Sequence, residues 1–238
     1  MDSPLVSCIM PTRNRREFIE SAIDCWFKQT YENKELVIVD DGEDRIDDLV
    51  PTYDRIRYFR QPIPPKMSLG RKRNHCVLLS KGDIICHWDD DDYSTPDRIE
   101  FQLAILNSSN LPITGFRTLY FWDIDKQHAR KYWSRVKGYV CGTSLMYYRD
   151  FKLMHPFPDV QESEDNKFVW SVIDQIAHND DPMHMVARIH QSITSRKDGI
   201  RDMVPKEELP SEFWENEIER IDNAGIIGGN SVKKCGES

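Results

Sequence analysis

The chain has 238 residues, 39% hydrophobic and 30% charged, which suits one large α/β domain and excludes bulk disorder. A formal net charge of -8 argues against extended nucleic-acid binding, which needs Lys and Arg in excess, but leaves room for a local basic pocket such as Arg71-Lys72-Arg73. Met1-Asp2-Ser3-Pro4 carries no signal-peptide pattern and no apolar run approaches the ~18 residues that span a bilayer, so the expectation is a cytoplasmic protein without a transmembrane segment.

Leu5 to Met10 reads as a buried strand that Pro11 stops, followed by a helix over Glu17 to Gln29 with Phe18, Ile19, Ala22, Ile23, Trp26 and Phe27 on one side. Glu35 to Val39 is a second strand, ended by Asp40-Asp41-Gly42, and Ile56 to Phe59 a third, followed by a Pro-rich loop from Gln61 to Pro65. A helix is predicted over Leu69 to Ser80 with Gly82 as its stop signal, then a strand from Asp83 to Trp88, then a helix opened by Pro96 with Thr95 as N-cap. Strands alternating with helices predict an α/β fold: a mixed, mostly parallel sheet with helices on both faces.

The second half changes character. Ile113 to Trp122 and Arg130 to Val136 flank a polar turn from Asp123 to His128 and read as a hairpin. Cys141 to Tyr148 is a further strand, Glu164 to His178 a helix capped by Ser163, and Met183 to Ile189 a last strand. Beyond His190 the pattern fades, with a short helix from Phe213 to Ile221 and a tail from Gly225. The six cysteines (8, 25, 76, 86, 141 and 235) contain no CxxC pair, and four lie in apolar runs, which reads as reduced thiols rather than a zinc site.

In open α/β sheets, ligands bind beyond the carboxyl ends of the strands. Three polar clusters fall at such ends: Pro11-Thr12-Arg13-Asn14, Asp40-Asp41 and Asp89-Asp90-Asp91-Asp92. Four adjacent carboxylates repel one another, so the last cluster asks for a cation or for open solvent. Mg²⁺ and Mn²⁺ prefer oxygen ligands and bridge carboxylates to phosphates. On an extended chain Asp89 and Asp91 would face one ion together. An EF-hand loop is excluded because its glycine position holds Ser94. Glu164-Asp165 suits either the helix dipole or a general base, and His190 either packing or a metal ligand.

Together these residues resemble glycosyltransferase family 2, built on the GT-A fold, over residues 4 to 196. Val6 to Asn14 looks like the family's first strand and nucleotide loop (Pro11, Thr12, Arg13, Asn14). Glu35 to Gly42 looks like its second strand, whose acid reads the base or ribose (Asp40, Asp41). Gly70 to Asn74 resembles the segment beside the diphosphate (Arg71, Arg73, Asn74), and Gly82 to Asp92 the family's Asp-x-Asp motif. Gly142-Thr143-Ser144 resembles its glycine loop, Glu164-Asp165 its Glu-Asp motif, and His190 its C-terminal metal histidine.

The resemblance implies an inverting transfer from a nucleotide-sugar donor, UDP by default, to a glycan, lipid-linked or other hydroxyl acceptor. Mn²⁺ or Mg²⁺ would be held by Asp91, Asp89 and His190, with Asp89 and Asp90 also near the donor and Asp165, beside Glu164, as base. It places the donor on residues 1–110, the acceptor on 111–200, and a C-terminal helix and tail on 201–238, and permits a homodimer. The loop Gln191 to Arg201 would close over the donor, and Trp122, Tyr132 and Trp133 would stack on a sugar or base unless they are simply buried. Two alternatives stay open. A sugar-1-phosphate nucleotidyltransferase would want a Gly-rich loop where Pro11-Thr12-Arg13-Asn14 stands. A non-catalytic nucleotide- or sugar-binding relative would not need all the acids that are present.

Overall fold

The computed structural model describes residues 3–61, 66–191 and 202–228. In chain order the elements are β1 (Val6–Thr12), α1 (Arg16–Phe27), β2 (Lys34–Asp40), β3 (Ile56–Arg60), α2 (Leu69–Leu79), β4 (Ile84–His87), β5 (Tyr93–Ser94), α3 (Arg98–Ser109), β6 (Ile113–Phe116), β7 (Thr118–Asp123), β8 (His128–Trp133), β9 (Met146–Tyr148), α4 (Arg149–Met154), α5 (Glu164–Ser171), β10 (Ile176–Asn179), β11 (Met185–Ile189), β12 (Asp202–Val204) and α6 (Ser211–Gly228).

A seven-stranded sheet runs β10-β6-β9-β4-β1-β2-β3, parallel except at β9, and a five-stranded sheet runs β12-β8-β7-β11-β5. Side chains alternate across the large sheet. Cys8 and Met10 of β1, Leu36 and Ile38 of β2 and Cys86 of β4 join Ile19, Ala22 and Trp26 of α1 and Ile99 and Leu103 of α3. Ile9, Val39 and Ile85 face the other way, onto Cys76 and Val77 of α2 and Phe168 and Val169 of α5. The predicted layering of helices on both faces is therefore present.

Several predicted boundaries move, each for a local reason. Pro11 does not stop β1; it pairs with Val39 in the parallel ladder, and the strand continues to Thr12. Phe27 ends α1 half-exposed against Tyr53 rather than on the buried side. Pro96 does not open α3, because Thr95 Oγ1 turns to Asp97 Oδ1 (2.6 Å) and the helix begins at Arg98. The run 113–122 breaks at Arg117 into β6 and β7, which lie in different sheets, although the β7–β8 hairpin forms as expected. Within 141–148 only Met146–Tyr148 is strand, since Gly142–Ser144 winds into a 3-10 turn. The long helix over 164–178 stops at Ser171, and Ile176 starts β10. Ser163 takes a left-handed conformation (φ 61°) and makes no side-chain cap.

α6 is longer than predicted and continues through Gly225 to Gly228. It lies against α1, where Ser21 Oγ donates to Asn216 Oδ1 at 3.0 Å. Residues 229–238 of the predicted tail, Cys235 among them, residues 192–201 of the predicted closing loop and residues 62–65 of the Pro-rich loop lie outside the described residues. Among the described residues no helix is long and apolar enough to cross a membrane.

Candidate functional site

From β1 the chain crosses through α1 to β2 on one side, whereas β4 lies on the other side of β1. The carboxyl ends of β1 and β4 thus form the switch point where such sheets leave a crevice. A cleft of about 470 Å³ opens there, with walls from Pro11, Thr12 and Arg13, from Asp89 to Asp92, and from Glu164 and Asp165. Three chain segments far apart in sequence meet in it.

The acidic segment is a turn, not an extended strand. β4 ends at His87, and the chain bends at Asp90 and Asp91. Trp88 anchors it: its backbone N–H donates to Ile9 O, its Nε1–H to Ala22 O (both 3.0 Å), and the Arg98 guanidinium covers its ring at 5.3 Å. The alternation expected for an extended chain therefore does not hold. Asp90 and Asp91 converge on one nitrogen: Arg15 NH1 donates to Asp90 Oδ1 at 2.8 Å and to Asp91 Oδ2 at 2.7 Å. His190 Nε2 lies 3.0 Å from the same Asp91 Oδ2. Asp89 turns elsewhere, taking a fork from Arg73 at 2.8 and 3.1 Å. The Thr143 hydroxyl sits between Asp89 and Asp92, and Asp92 Oδ1 accepts the Arg188 backbone N–H at 3.1 Å.

These contacts set the charges. Burial would raise the Asp89 and Asp91 carboxyls, but Arg73 and Arg15 outweigh it and hold both below the usual range. At Asp90 burial wins over Arg15 and the carboxyl is pushed up. Burial works against the Arg15 and Arg73 charges too, yet the neighbouring acids push both guanidiniums up, so both stay charged.

Across the cleft, Glu164 is 2% exposed and accepts from Arg73 Nε at 3.0 Å. Burial raises its carboxyl against the pull of Arg73. Asp165 is more open. Its Oδ1 accepts the Asn166 N–H at 2.7 Å, and its Oδ2 lies over Gly142, where a Cβ would come within 2.1 Å of it. Gly142 is thus the residue type that lets the Asp165 carboxylate reach this position.

Several predicted donor residues stand off the cleft wall, most of them held by partners within the protein. Asn14 (φ 51°) points its Oδ1 at the Glu43 and Asp44 N–H groups, tying the β1 loop to the β2 loop. Asp40 is 1% exposed and saturated by the Gly42 N–H, Tyr58 Oη and Arg60. Asp41 is equally buried, between Lys72 Nζ and the Met67 N–H. Arg71 is exposed on the outer side of α2, and Asn74 brackets the backbone of Phe157 through both amide atoms at 2.9 Å. Trp122 is buried against Phe213 and Trp214, and Trp133 lies outside the cleft with its Nε1–H on Asp202, which leaves Tyr132 on the wall.

Sequence reasoning passed over Arg15 and Arg188. Arg188 spans Asp91 O (3.2 Å), Glu217 Oε2 (2.8 Å) and Asn216 Oδ1 (2.8 Å), so α6 braces the acidic turn. A lone arginine inside the strand run Met185–Ile189 was the available signal.

Asp91 and His190 offer an oxygen and a nitrogen on one spot, and Asp90 Oδ2 is buried without a hydrogen bond. Carboxylates also outnumber cations around the turn. This donor set fits a divalent ion such as Mn²⁺ or Mg²⁺. Among the described residues no group of three or more His, Cys, Asp or Glu is placed to hold a metal ion by itself.

The family model for glycosyl transferase family 2 matches residues 7–158. An uncharacterized glycosyltransferase of Rickettsia typhi is 36% identical over 107 residues, 44% of this chain and 33% of the relative. One of Haemophilus influenzae is 29% identical over 119 residues, 48% of this chain and 47% of the relative. The chain thus spans less than half the length of these relatives. In fold it is similar to the crystal structure of Staphylococcus aureus TarS 1–349 in complex with UDP-GlcNAc (TM-score 0.64, 16% identity, 80% of this chain and 60% of that one). It is also similar to the mannosyltransferase PcManGT of Pyrobaculum calidifontis in complex with GDP-Man and Mn²⁺ (TM-score 0.60, 15% identity, 98% of this chain and 66% of that one).

Proposed function

The chain belongs to glycosyl transferase family 2, and from that premise we propose that it transfers a sugar from a nucleotide-sugar donor to an acceptor hydroxyl, with inversion and with a divalent ion. The observation that carries this reading is the pairing, in one cleft, of an acidic turn held by arginines with the more open carboxylate of Asp165. Asp91 and His190 would hold the ion, and Asp89 stays a donor-side carboxylate fixed by Arg73 rather than a third ligand. The ion would offset charge on the leaving diphosphate. Arg13 is placed for the same diphosphate, since its NH1 is buried without a hydrogen bond, 3.8 Å from Asp41. Lys72 fixes the loop from beneath through Thr12 O at 2.8 Å. Asp165 takes the proton of the attacking hydroxyl.

We place the donor on residues 1–110 and the acceptor against 111–200, with α6 as a brace of the acidic turn. UDP and GDP are both candidates, because TarS is seen with UDP-GlcNAc and PcManGT with GDP-Man. The test is a thermal-shift and nucleotide-release screen of UDP-, GDP- and TDP-sugars with and without Mn²⁺. The expected result is one nucleotide class that raises Tm only with Mn²⁺ and is released as nucleoside diphosphate. Binding without release, independent of metal, would instead identify a non-catalytic binding module.

A further inference from the structure

We propose that Arg15 is a built-in placeholder for the divalent ion, holding Asp90 and Asp91 together while the ion is absent and passing to the donor diphosphate when the ion binds. The proposal rests on the metal-dependent reading above.

One guanidinium nitrogen of Arg15 contacts both carboxylates, at 2.8 and 2.7 Å, and the oxygen it takes from Asp91 is the one 3.0 Å from His190 Nε2. An ion on Asp91 and His190 would therefore set its charge against that of Arg15 across one shared oxygen. Guanidinium keeps its charge at any working pH, so Arg15 cannot leave by losing a proton and has to be displaced. A second anion close by would make displacement easier. Arg15 lies on the cleft wall with its side chain 13% exposed, at the N-terminus of α1 and directly after the left-handed Asn14, so a diphosphate in the cleft is within its neighbourhood.

Two consequences follow from this exchange. Adjacent acids in an ion-free turn stay neutralised, so the turn keeps its shape. The ion and the diphosphate also bind cooperatively beyond their direct contact, because each removes an obstacle to the other, and that coupling is reciprocal.

The experiment measures Mn²⁺ binding by calorimetry for the wild type, Arg15→Met and Arg15→Gln, alone and with UDP or GDP. Removing the competitor is expected to tighten Mn²⁺ binding without nucleotide by about tenfold, near 1.4 kcal/mol, and to shrink the Mn²⁺–nucleotide coupling. Mn²⁺ should also raise Tm more in Arg15→Met than in the wild type. Equal or weaker Mn²⁺ binding by both variants, with the wild type still binding, would overturn the placeholder and leave the metal site standing. Absence of Mn²⁺ binding in all three proteins, with either nucleotide present, would overturn the metal reading itself. If neither variant folds, the wild type decides: Mn²⁺ affinity unchanged by UDP and GDP would sink the proposal.

Discussion

At the end of β4 the four carboxylates of Asp89 to Asp92 meet Arg73, Arg15, Thr143 and the Arg188 backbone, whereas at the start of α5 Glu164 is tied to Arg73 and Asp165 leans over Gly142 into the cleft. Arg73 joins the two segments, because its Nε serves Glu164 and its fork serves Asp89. Under the proposed function this difference divides the roles between Asp89 and Asp91 on one side and Asp165 on the other. Carboxylates held low by arginines are poor proton acceptors and good anionic supports. A carboxylate with one backbone N–H and a glycine beneath it keeps a face for a substrate proton.

The largest test of this contrast exchanges one acid on each side. Asp165→Asn is expected to lower transfer by ~10²–10⁴ while donor affinity stays as it was. Asp91→Ala should instead abolish the Mn²⁺-dependent part of donor binding. Binding and single-turnover measurements on both variants separate the two. Normal transfer by Asp165→Asn would remove the base assignment and with it the contrast.

A smaller effect is expected for Glu164→Gln. The amide oxygen can still accept from Arg73 Nε, and Arg73 keeps its fork on Asp89, so the buried guanidinium is not abandoned. The loss is the charge assistance of one hydrogen bond, about 1 kcal/mol in urea unfolding. Donor binding should stay close to wild type, because the fork on Asp89 is kept. A variant of unchanged stability would show that Arg73 does not couple the two segments.

The β1, β2 and β4 part of the large sheet was legible because each of these strands is a short apolar run ended by a polar cluster. That rule also brought the Pro11, Asp40 and Asp89 clusters to one edge. It did not say which way their side chains turn. Asp40 and Asn74 have the residue types of ligand contacts and are consumed by Tyr58 and Phe157. Arg15 was missed because its partners lie 75 and 76 residues away, beyond any periodicity. The stretch 113–178 was read least well. Its strands are short and pass between two sheets, so tertiary pairing, not local pattern, sets their ends.

Lys152 sharpens the contrast from beneath α5. The acidic turn rests on cations paired with acids, but Lys152, 1% exposed, contacts only His155 O (2.7 Å), Asn74 Oδ1 (3.2 Å) and the rings of Phe157 (3.8 Å) and Phe168 (4.8 Å) among the described residues. Burial without a carboxylate pushes its ammonium down to about 7. In the unfolded chain it titrates near ~10.4. Between these values the unfolded chain binds the extra proton, so stability rises with pH across that window, by up to about 1.4 kcal/mol per unit, and has no Lys152 slope below it. Lys152→Met should remove that rise while leaving the slopes of other groups in place. Urea unfolding of both proteins from about pH 6 to pH 9 reads the difference. Equal slopes would mean that Lys152 stays charged in the folded state and that both sides of the cleft rest on fixed charge.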